Sequence, residues 1–195
     1  MNFNHERYAN CLKCAGVSED VITRIVNVPY PASGDKKQDN ANYCAAVMAQ
    51  CDALLDFDTT AEAMLERACC KDGFRLKNSR SVAKWHGNQP LGKKLKALGK
   101  KKWMGRPHLT QDGDIYTAHC AGTGFPDGPR CSCWCFDGAI PEQGKMPLSY
   151  CLCCAGHFRF HYQIALGVKL RVKEIVSSVF GEEPQYCSFL FEIME

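Results

Sequence analysis

The sequence predicts an α+β protein in which helices come first and an antiparallel sheet with a packed helix follows. Two observations favour this class. Up to about residue 110 the apolar residues recur at helical spacing, whereas after residue 113 they alternate in short segments separated by loops rich in glycine and proline. We therefore expect a helical region over residues 1–110 and an α+β domain over residues 111–195.

In the first region, helices are predicted over residues 4–14, 18–27, 40–55 and 59–70. Ser18 suits the N-cap of the second, because a serine oxygen can accept a hydrogen bond from a backbone N–H of the first turn. The segment LGKKLKALGKKKW places Leu91, Leu95 and Leu98 on one side and lysines elsewhere. That spacing predicts an amphipathic helix with a basic exposed face.

Positive charge is concentrated in one segment, residues 71–106. It holds twelve lysines and arginines against Asp72 alone, a net +11, and since the whole chain carries +3 the remainder carries −8. The segment also contains Trp85, His86 and Trp103, whose rings could stack on bases. Nucleic-acid binding is one interpretation, and a solvated basic surface or an acidic ligand is another.

The C-terminal region is predicted to contain four strands and one helix. DIYTAHC and RCSCWCF are typical of strands and flank a loop rich in glycine and proline. A helix is expected over residues 149–167, with Gly167 as its C-cap. VKLRVKEIVSSVF and YCSFLFEIM are then expected to pair as antiparallel strands across the turn GEEPQ.

The 14 cysteines have to be interpreted together with the cell compartment. No apolar run approaches the roughly 20 residues that span a bilayer, and the start of the chain is unlike a signal peptide. We expect a cytoplasmic protein without membrane contact, whose thiols are kept reduced. Metal binding or reactive chemistry is then favoured over structural disulfides.

Two cysteine-rich segments predict a metal site. In an extended RCSCWC segment, Cys131 and Cys133 share a face. In the following helix, thiol and imidazole groups recur at a spacing of four residues along one side. The preferred ligands are Cys131, Cys133, Cys151 and Cys153, with His157 as a substitute. Zinc suits sulfur and imidazole donors, and an iron–sulfur cluster is the second choice. The alternative is that these cysteines fill the core as small hydrophobic residues.

The last two strands indicate a ligand pocket. By alternation, Glu174 shares a face with the valines of its strand, so it is expected to line a cavity unless a bulge turns it outward. Phe189 and Phe191 share one face of the last strand. They form either the aromatic wall of a pocket or part of the hydrophobic core. With His161, these residues are the candidate ligand contacts.

The pattern of Cys131-Ser-Cys133, Tyr150-Cys151-Leu-Cys153, Glu174 to Ser177 and Cys187-Ser-Phe189 resembles a bacterial cysteine-rich group. The same ending resembles the 4-vinyl reductase domain and the aminothiazoline-carboxylate hydrolase-like proteins. The resemblance implies a small α+β domain around an apolar ligand cavity, with a cysteine-bound metal nearby. Two departures are Cys154, where the pattern favours glycine, and Cys135, which adds a third alternate thiol.

The main functional prediction is a small-molecule-binding protein with a zinc site next to an apolar cavity. The alternative is a hydrolase of the aminothiazoline-carboxylate type, in which Glu174, His157 or a cysteine acts in acid/base or nucleophilic roles. A further alternative is a redox- or metal-responsive regulator that meets nucleic acid through residues 71–106. The oligomeric state is left open, with a homodimer among the options.

Overall fold

The computed structural model describes residues 3–30, 33–68, 71–119, 130–131, 133–142, 144–181 and 186–194. The predicted α+β class, with helices first and an antiparallel sheet last, is confirmed. Within the described residues the helices are α1 (Phe3–Cys14), α2 (Glu19–Val26), α3 (Lys36–Leu54), α4 (Phe57–Arg67), α5 (Gly73–His86), α6 (Leu91–Gly99) and α7 (Leu152–Leu166), the last preceded by a 3₁₀ turn (Leu148–Cys151). The strands are β1 (His108–Leu109), β2 (Ile115–His119), β3 (Lys169–Ser177) and β4 (Cys187–Met194).

Two helices begin earlier than the sequence indicated, because aspartates cap them. The Asp35 carboxylate accepts hydrogen bonds from the backbone N–H groups of Lys37 and Gln38, so α3 begins before residue 40. The Asp56 carboxylate accepts a hydrogen bond from the backbone N–H of Thr59 and starts α4.

Helix α5 falls in a segment to which the sequence assigned no element. No described helix combines the length and apolarity needed to cross a bilayer.

The sheet is antiparallel throughout, in the order β1-β2-β4-β3. The predicted pairing of the last two strands is confirmed, with Leu170 opposite Ile193 and Val172 opposite Phe191. The register shifts between Val172 and Glu174, which marks a bulge or similar irregularity of the ladder. Beyond this point Glu174 no longer follows the alternation that places Leu170 and Val172 in the core.

The prediction that RCSCWCF forms a strand is wrong. The backbone N–H groups of Phe136 and Asp137 both donate to the carbonyl oxygen of Cys133, which closes a turn. Asp137 has a φ of 47°, in the left-handed region, and Gly138 follows with a φ of 84°. The chain therefore bends back after Cys133, and Cys135 does not continue the face of a strand.

Helix α7 lies between the N-terminal helices and the sheet. On one side Phe158 and Tyr162 contact Phe189 and Phe191, with ring centroids 6.1 and 6.0 Å apart respectively. On the other side α7 packs against α4 and α5. One contiguous buried cluster therefore contains residues of both the helical region and the α+β region.

Candidate functional site

Arg67 is the last residue of α4, and only 1% of its surface is exposed. Thr60, Ala63 and Met64, which are also buried, precede it at helical spacing. All four therefore share the side of α4 that faces the core. Helix α4 thus carries a guanidinium group into the interior of the protein.

Three sulfur atoms and a phenol oxygen surround this guanidinium. Its Nη1 lies 3.4 Å from the hydroxyl oxygen of Tyr150 and 3.6 Å from Sγ of Cys153. Its Nη2 lies 3.7 Å from Sγ of Cys44 and 3.9 Å from Sγ of Cys135. Cys135 and Cys153, one from each cysteine-rich segment, therefore meet here, and the group at the centre is an arginine side chain.

Aromatic rings complete the enclosure of Arg67. The guanidinium carbon lies 4.4 Å from the ring centroid of Tyr8 and 5.3 Å from that of Tyr150. The polar groups nearest to it are phenols and thiols; no described carboxylate pairs with it, and its Nε has no described acceptor. Burying a charge costs several kcal/mol, and a desolvated cation–π contact offsets about 2 kcal/mol. The site is therefore suited to an anion.

Helix α3 holds the turn that carries Cys135. The side-chain amide of Asn40 donates to the carbonyl oxygen of Cys135 at 2.9 Å, and Lys37 donates to that of Trp134. Gln38 donates to the carbonyl oxygen of Ile140 at 2.7 Å. These contacts bind the turn to α3, which also supplies Cys44 to the site.

Cys133 is the thiol best placed to become that anion. Its Sγ lies 3.2 Å from the hydroxyl oxygen of Tyr150, and the side chain is half-buried. Hydrogen bonding from the Cys135 thiol, with further donors from the Tyr150 hydroxyl and the Cys135 backbone N–H, lowers the pKa of Cys133 to about 6. The nearby Arg67 charge also lowers the pKa of Cys133. Together the hydrogen bonds and this charge outweigh the rise in pKa that burial causes.

Most of the neighbouring thiols behave in the opposite way. Donation to Cys133 raises the pKa of Cys135, and burial raises the pKa of Cys44 and Cys131. A second close pair joins Cys151 to Cys187, where a hydrogen bond from Cys151 lowers the pKa of Cys187 to about 7. Cys187 is fully buried, however, so Cys133 combines a lowered pKa with access to solvent.

The five predicted zinc ligands do not meet at one point. Cys133 and Cys153 lie at the Arg67 centre, whereas Cys151 Sγ lies 2.9 Å from Ser178 Oγ. The ring of His157 packs on Phe158 with centroids 4.2 Å apart. In the described part of the chain, no group of three or more His, Cys, Asp or Glu residues is arranged to hold a metal.

The sulfurs that do converge do not fit a zinc ion while Arg67 lies among them, because the guanidinium would repel a divalent cation. Cys69, Cys70 and Cys120 lie outside the described residues. Zinc, or an iron–sulfur cluster, as the cofactor of this protein stays a prediction.

The four residues predicted to contact a ligand also lie in different environments. Glu174 is exposed, because the register shift removes it from the core face of β3. Phe189 and Phe191 are fully buried and pack on α7, so they act as core. His161 is buried as well, with its Nδ1 at 3.0 Å from Ser79 Oγ. These four residues do not form one pocket.

A cavity of about 270 Å³ opens beside the thiol centre. Its lining is mostly apolar, with cationic side chains and one thiol, and includes Cys131, Ile140, Met146, Phe180, Arg130 and Lys145. The ring of Phe180 contacts that of Tyr150, with centroids 6.3 Å apart. A small molecule in this cavity would lie close to the residue whose hydroxyl contacts Cys133.

Sequence reasoning found Cys133 and Cys153 but missed Arg67, Tyr150, Tyr8 and Cys44. One signal was available: Arg67 falls seven residues after Thr60 on the face that also holds Ala63 and Met64. A cation at a core position of an amphipathic helix indicates a buried charge that requires partners.

The chain matches no protein-family model, no curated protein and no solved structure. The resemblance to the 4-vinyl reductase domain accordingly stays a prediction. The geometry of the Arg67 centre is thus the basis on which a function is proposed.

Proposed function

We propose that this protein is a thiol–disulfide redox protein in which Cys133 is the reactive thiolate and Cys135 the resolving thiol. The observation that carries the proposal is the position of Cys133 Sγ, 3.2 Å from the Tyr150 hydroxyl and next to the buried, carboxylate-free Arg67 centre. A thiolate there would accept a hydrogen bond from the Tyr150 hydroxyl and lie near the positive charge of Arg67. Its lowered pKa supports the same role, because the thiolate is the nucleophilic form of cysteine.

The reaction that suits this arrangement is exchange with a small disulfide, RSSR. The Cys133 thiolate attacks one sulfur, a Cys133–SR bond forms, and the S–S bond breaks with its electron pair leaving on RS⁻. That thiolate takes the proton of Cys135. Cys135 then attacks Cys133 Sγ and releases the second RS⁻, which is protonated by solvent. The protein dithiol is oxidised by two electrons, and RSSR is reduced to two thiols.

The surroundings of Cys135 support its part in the second step. While Cys133 is a thiolate, Cys135 donates to it, which raises the pKa of Cys135. Once Cys133 is in the mixed disulfide this donation ends, and Arg67 Nη2, at 3.9 Å from Cys135 Sγ, favours the Cys135 thiolate. Cys135 is buried whereas Cys133 is partly exposed, so the small disulfide meets Cys133 first.

The test is incubation of the reduced protein with oxidised glutathione, followed by tandem mass spectrometry of the tryptic peptide 131–145. We expect a Cys133–Cys135 disulfide in the unmodified chain and a stable glutathione adduct on Cys133 in Cys135→Ser. The control is Cys14→Ser, which removes an exposed thiol elsewhere and should change nothing at Cys133. If Cys133→Ser consumes glutathione disulfide as fast as the unmodified chain, or the disulfide joins other cysteines, the proposal is wrong.

Small-molecule binding is a second candidate function, and the cavity of about 270 Å³ favours it. The volume is slightly below the roughly 300–1,000 Å³ of pockets for drug-sized ligands, so the ligand would be small. The hydrolase interpretation has less support, because Glu174 is exposed on β3 and His157 packs against Phe158.

For a protein with a thiol centre of this kind we propose a cytoplasmic location, because thiols are kept reduced there.

A further inference from the structure

The two helices of the basic segment, α5 and α6, form a second concave site away from the thiol centre. It has a volume of about 350 Å³ and its lining is dominated by cationic and polar side chains: His86, Gln89, Lys93, Lys96, Lys100 and Lys101, with Ala97. Among the described residues, no carboxylate contributes to this lining. Four ammonium groups around one concavity attract an anion with more than one negative charge.

The lysines of this groove lack the acidic partner that several other surface cations have. Lys13, Lys71, Arg159, Arg171 and Lys173 each form a salt bridge with a carboxylate. The four groove lysines form no salt bridge with any described residue. Their charge is therefore available to an external partner.

Two exposed tryptophans belong to the same segment. Trp85 is 69% exposed near the end of α5, and Trp103, which follows the groove lysines in the chain, is 54% exposed. Trp103 also has a φ of 68°, in the left-handed region that bulky residues rarely adopt. Such a conformation persists only where the surrounding structure enforces it, and it is concentrated at functional sites.

We propose that the groove and the two tryptophans bind single-stranded nucleic acid, with phosphates on Lys93, Lys96, Lys100 and Lys101 and unpaired bases stacked on Trp85 and Trp103. Sequence-independent binders of single strands combine a cationic groove with aromatic stacking platforms. A duplex keeps its bases inside the stack and offers no unpaired base to the indole rings, over which Lys84 Nζ and Lys102 Nζ lie at 4.8 and 5.0 Å. An anionic membrane fits less well, because the apolar residues Leu95 and Leu98 of α6 are buried in the core.

The test is fluorescence anisotropy of a labelled single-stranded oligonucleotide of about 15 residues, a length within the site sizes of such proteins. If the four lysines contact phosphates, affinity should fall about 50-fold between 50 and 200 mM salt. Changing all four lysines to glutamine should lower the log–log salt slope by about 3. Trp85→Ala and Trp103→Ala should each weaken binding about tenfold without altering the salt slope.

The matched control changes Lys13, Arg24, Lys36 and Lys169 to glutamine, which removes the same charge from other exposed positions. At 150 mM salt, the affinity of this variant for the oligonucleotide should lie within about threefold of that of the unmodified chain. Equal losses in both quadruple variants would show a non-specific charge effect and overturn the proposal. So would binding of a duplex, or of vesicles with anionic lipid, as tightly as the single strand. Circular dichroism verifies that each variant is folded.

Discussion

At the level of single residues, Arg67 explains why so many thiols gather in one place. Cysteine sulfur is a weak acceptor when protonated and a strong one as a thiolate, and a guanidinium enclosed by thiols and phenols favours the thiolate. Cys44 and Cys153 contact the cation from buried positions, and Cys133 reaches the surface. The centre therefore stabilises negative charge at Cys133, the one of these three thiols that solvent can reach.

Tyr150→Phe tests the contribution of the hydroxyl group. The ring stays over Arg67 and against Phe180, but the donor to Cys133 is lost. A hydrogen bond to a charged group is worth about 1.5–3 kcal/mol, so we expect the pKa of Cys133 to rise by about one unit or more. Alkylation of Cys133 by iodoacetamide at pH 6.5 should become about threefold slower.

Tyr43→Phe is the matched control for this change. It removes another buried hydroxyl, which donates to the carbonyl oxygen of Val26 at 3.1 Å and lies outside the Arg67 contacts. The Cys133 alkylation rate should not change in this variant. Equal slowing in both variants would indicate general loosening of the fold instead of a specific effect of Tyr150.

The site could be predicted from the sequence only in part. Clustered cysteines identified the segments around Cys133 and Cys153, since thiols close in sequence must also lie close in space. Spacing alone could not distinguish a metal ion from a guanidinium at their centre, because both attract thiolates. Alternation placed Glu174 on the core face unless a bulge turned it outward, and the register shift after Val172 decides for the second alternative.

At the level of elements, the site depends on the close approach of α4 and α7. A Cβ atom on Gly156 would lie 2.8 Å from the Cα of Leu65 and 3.1 Å from the carbonyl oxygen of Met64. Both contacts are with backbone, so a side chain there would push the helices apart. The approach brings Arg67 of α4 and Cys153 of α7 within 3.6 Å.

Gly156→Ala should therefore destabilise the protein by about 1–3 kcal/mol, the usual penalty of overpacking. Urea unfolding followed by circular dichroism measures this change. The control is Gly92→Ala in α6, where a Cβ would meet nothing within 4 Å. That variant should gain about 0.5–1 kcal/mol from helix propensity. Loss of stability in Gly92→Ala, or none in Gly156→Ala, would contradict this account of the packing.

Elements with a strong periodic pattern were predicted well, and those governed by turns were not. Helix α7 and strands β3 and β4 carry long apolar patterns, and Gly167, at a φ of 72°, ends the helix as expected. RCSCWCF alternates like a strand, yet the turn held by α3 determines its conformation. Contacts with a distant helix leave no trace in the local pattern of residues, so the turn could not be predicted from this segment alone.

At the level of the whole molecule, the thiol centre lies where the two predicted regions meet. Arg67, Cys44 and Tyr8 come from the N-terminal helices, and Cys133, Cys135, Tyr150 and Cys153 come from the C-terminal region. Neither region contains the complete centre by itself. The basic segment 71–106 contributes a separate cationic groove, so the chain presents two kinds of site.

The most direct measurement is the pH dependence of Cys133 alkylation, resolved by mass spectrometry, in the unmodified chain and in Arg67→Met. Methionine fills much of the same space without charge, and because no described carboxylate pairs with Arg67 the change leaves no partner carboxylate buried and unpaired. Because the pKa of Cys133 is lowered to about 6, the rate should rise to a plateau with a midpoint near pH 6. In Arg67→Met the midpoint should move upward. A midpoint near pH 9 in the unmodified chain, or the same midpoint in a folded Arg67→Met, would contradict the account.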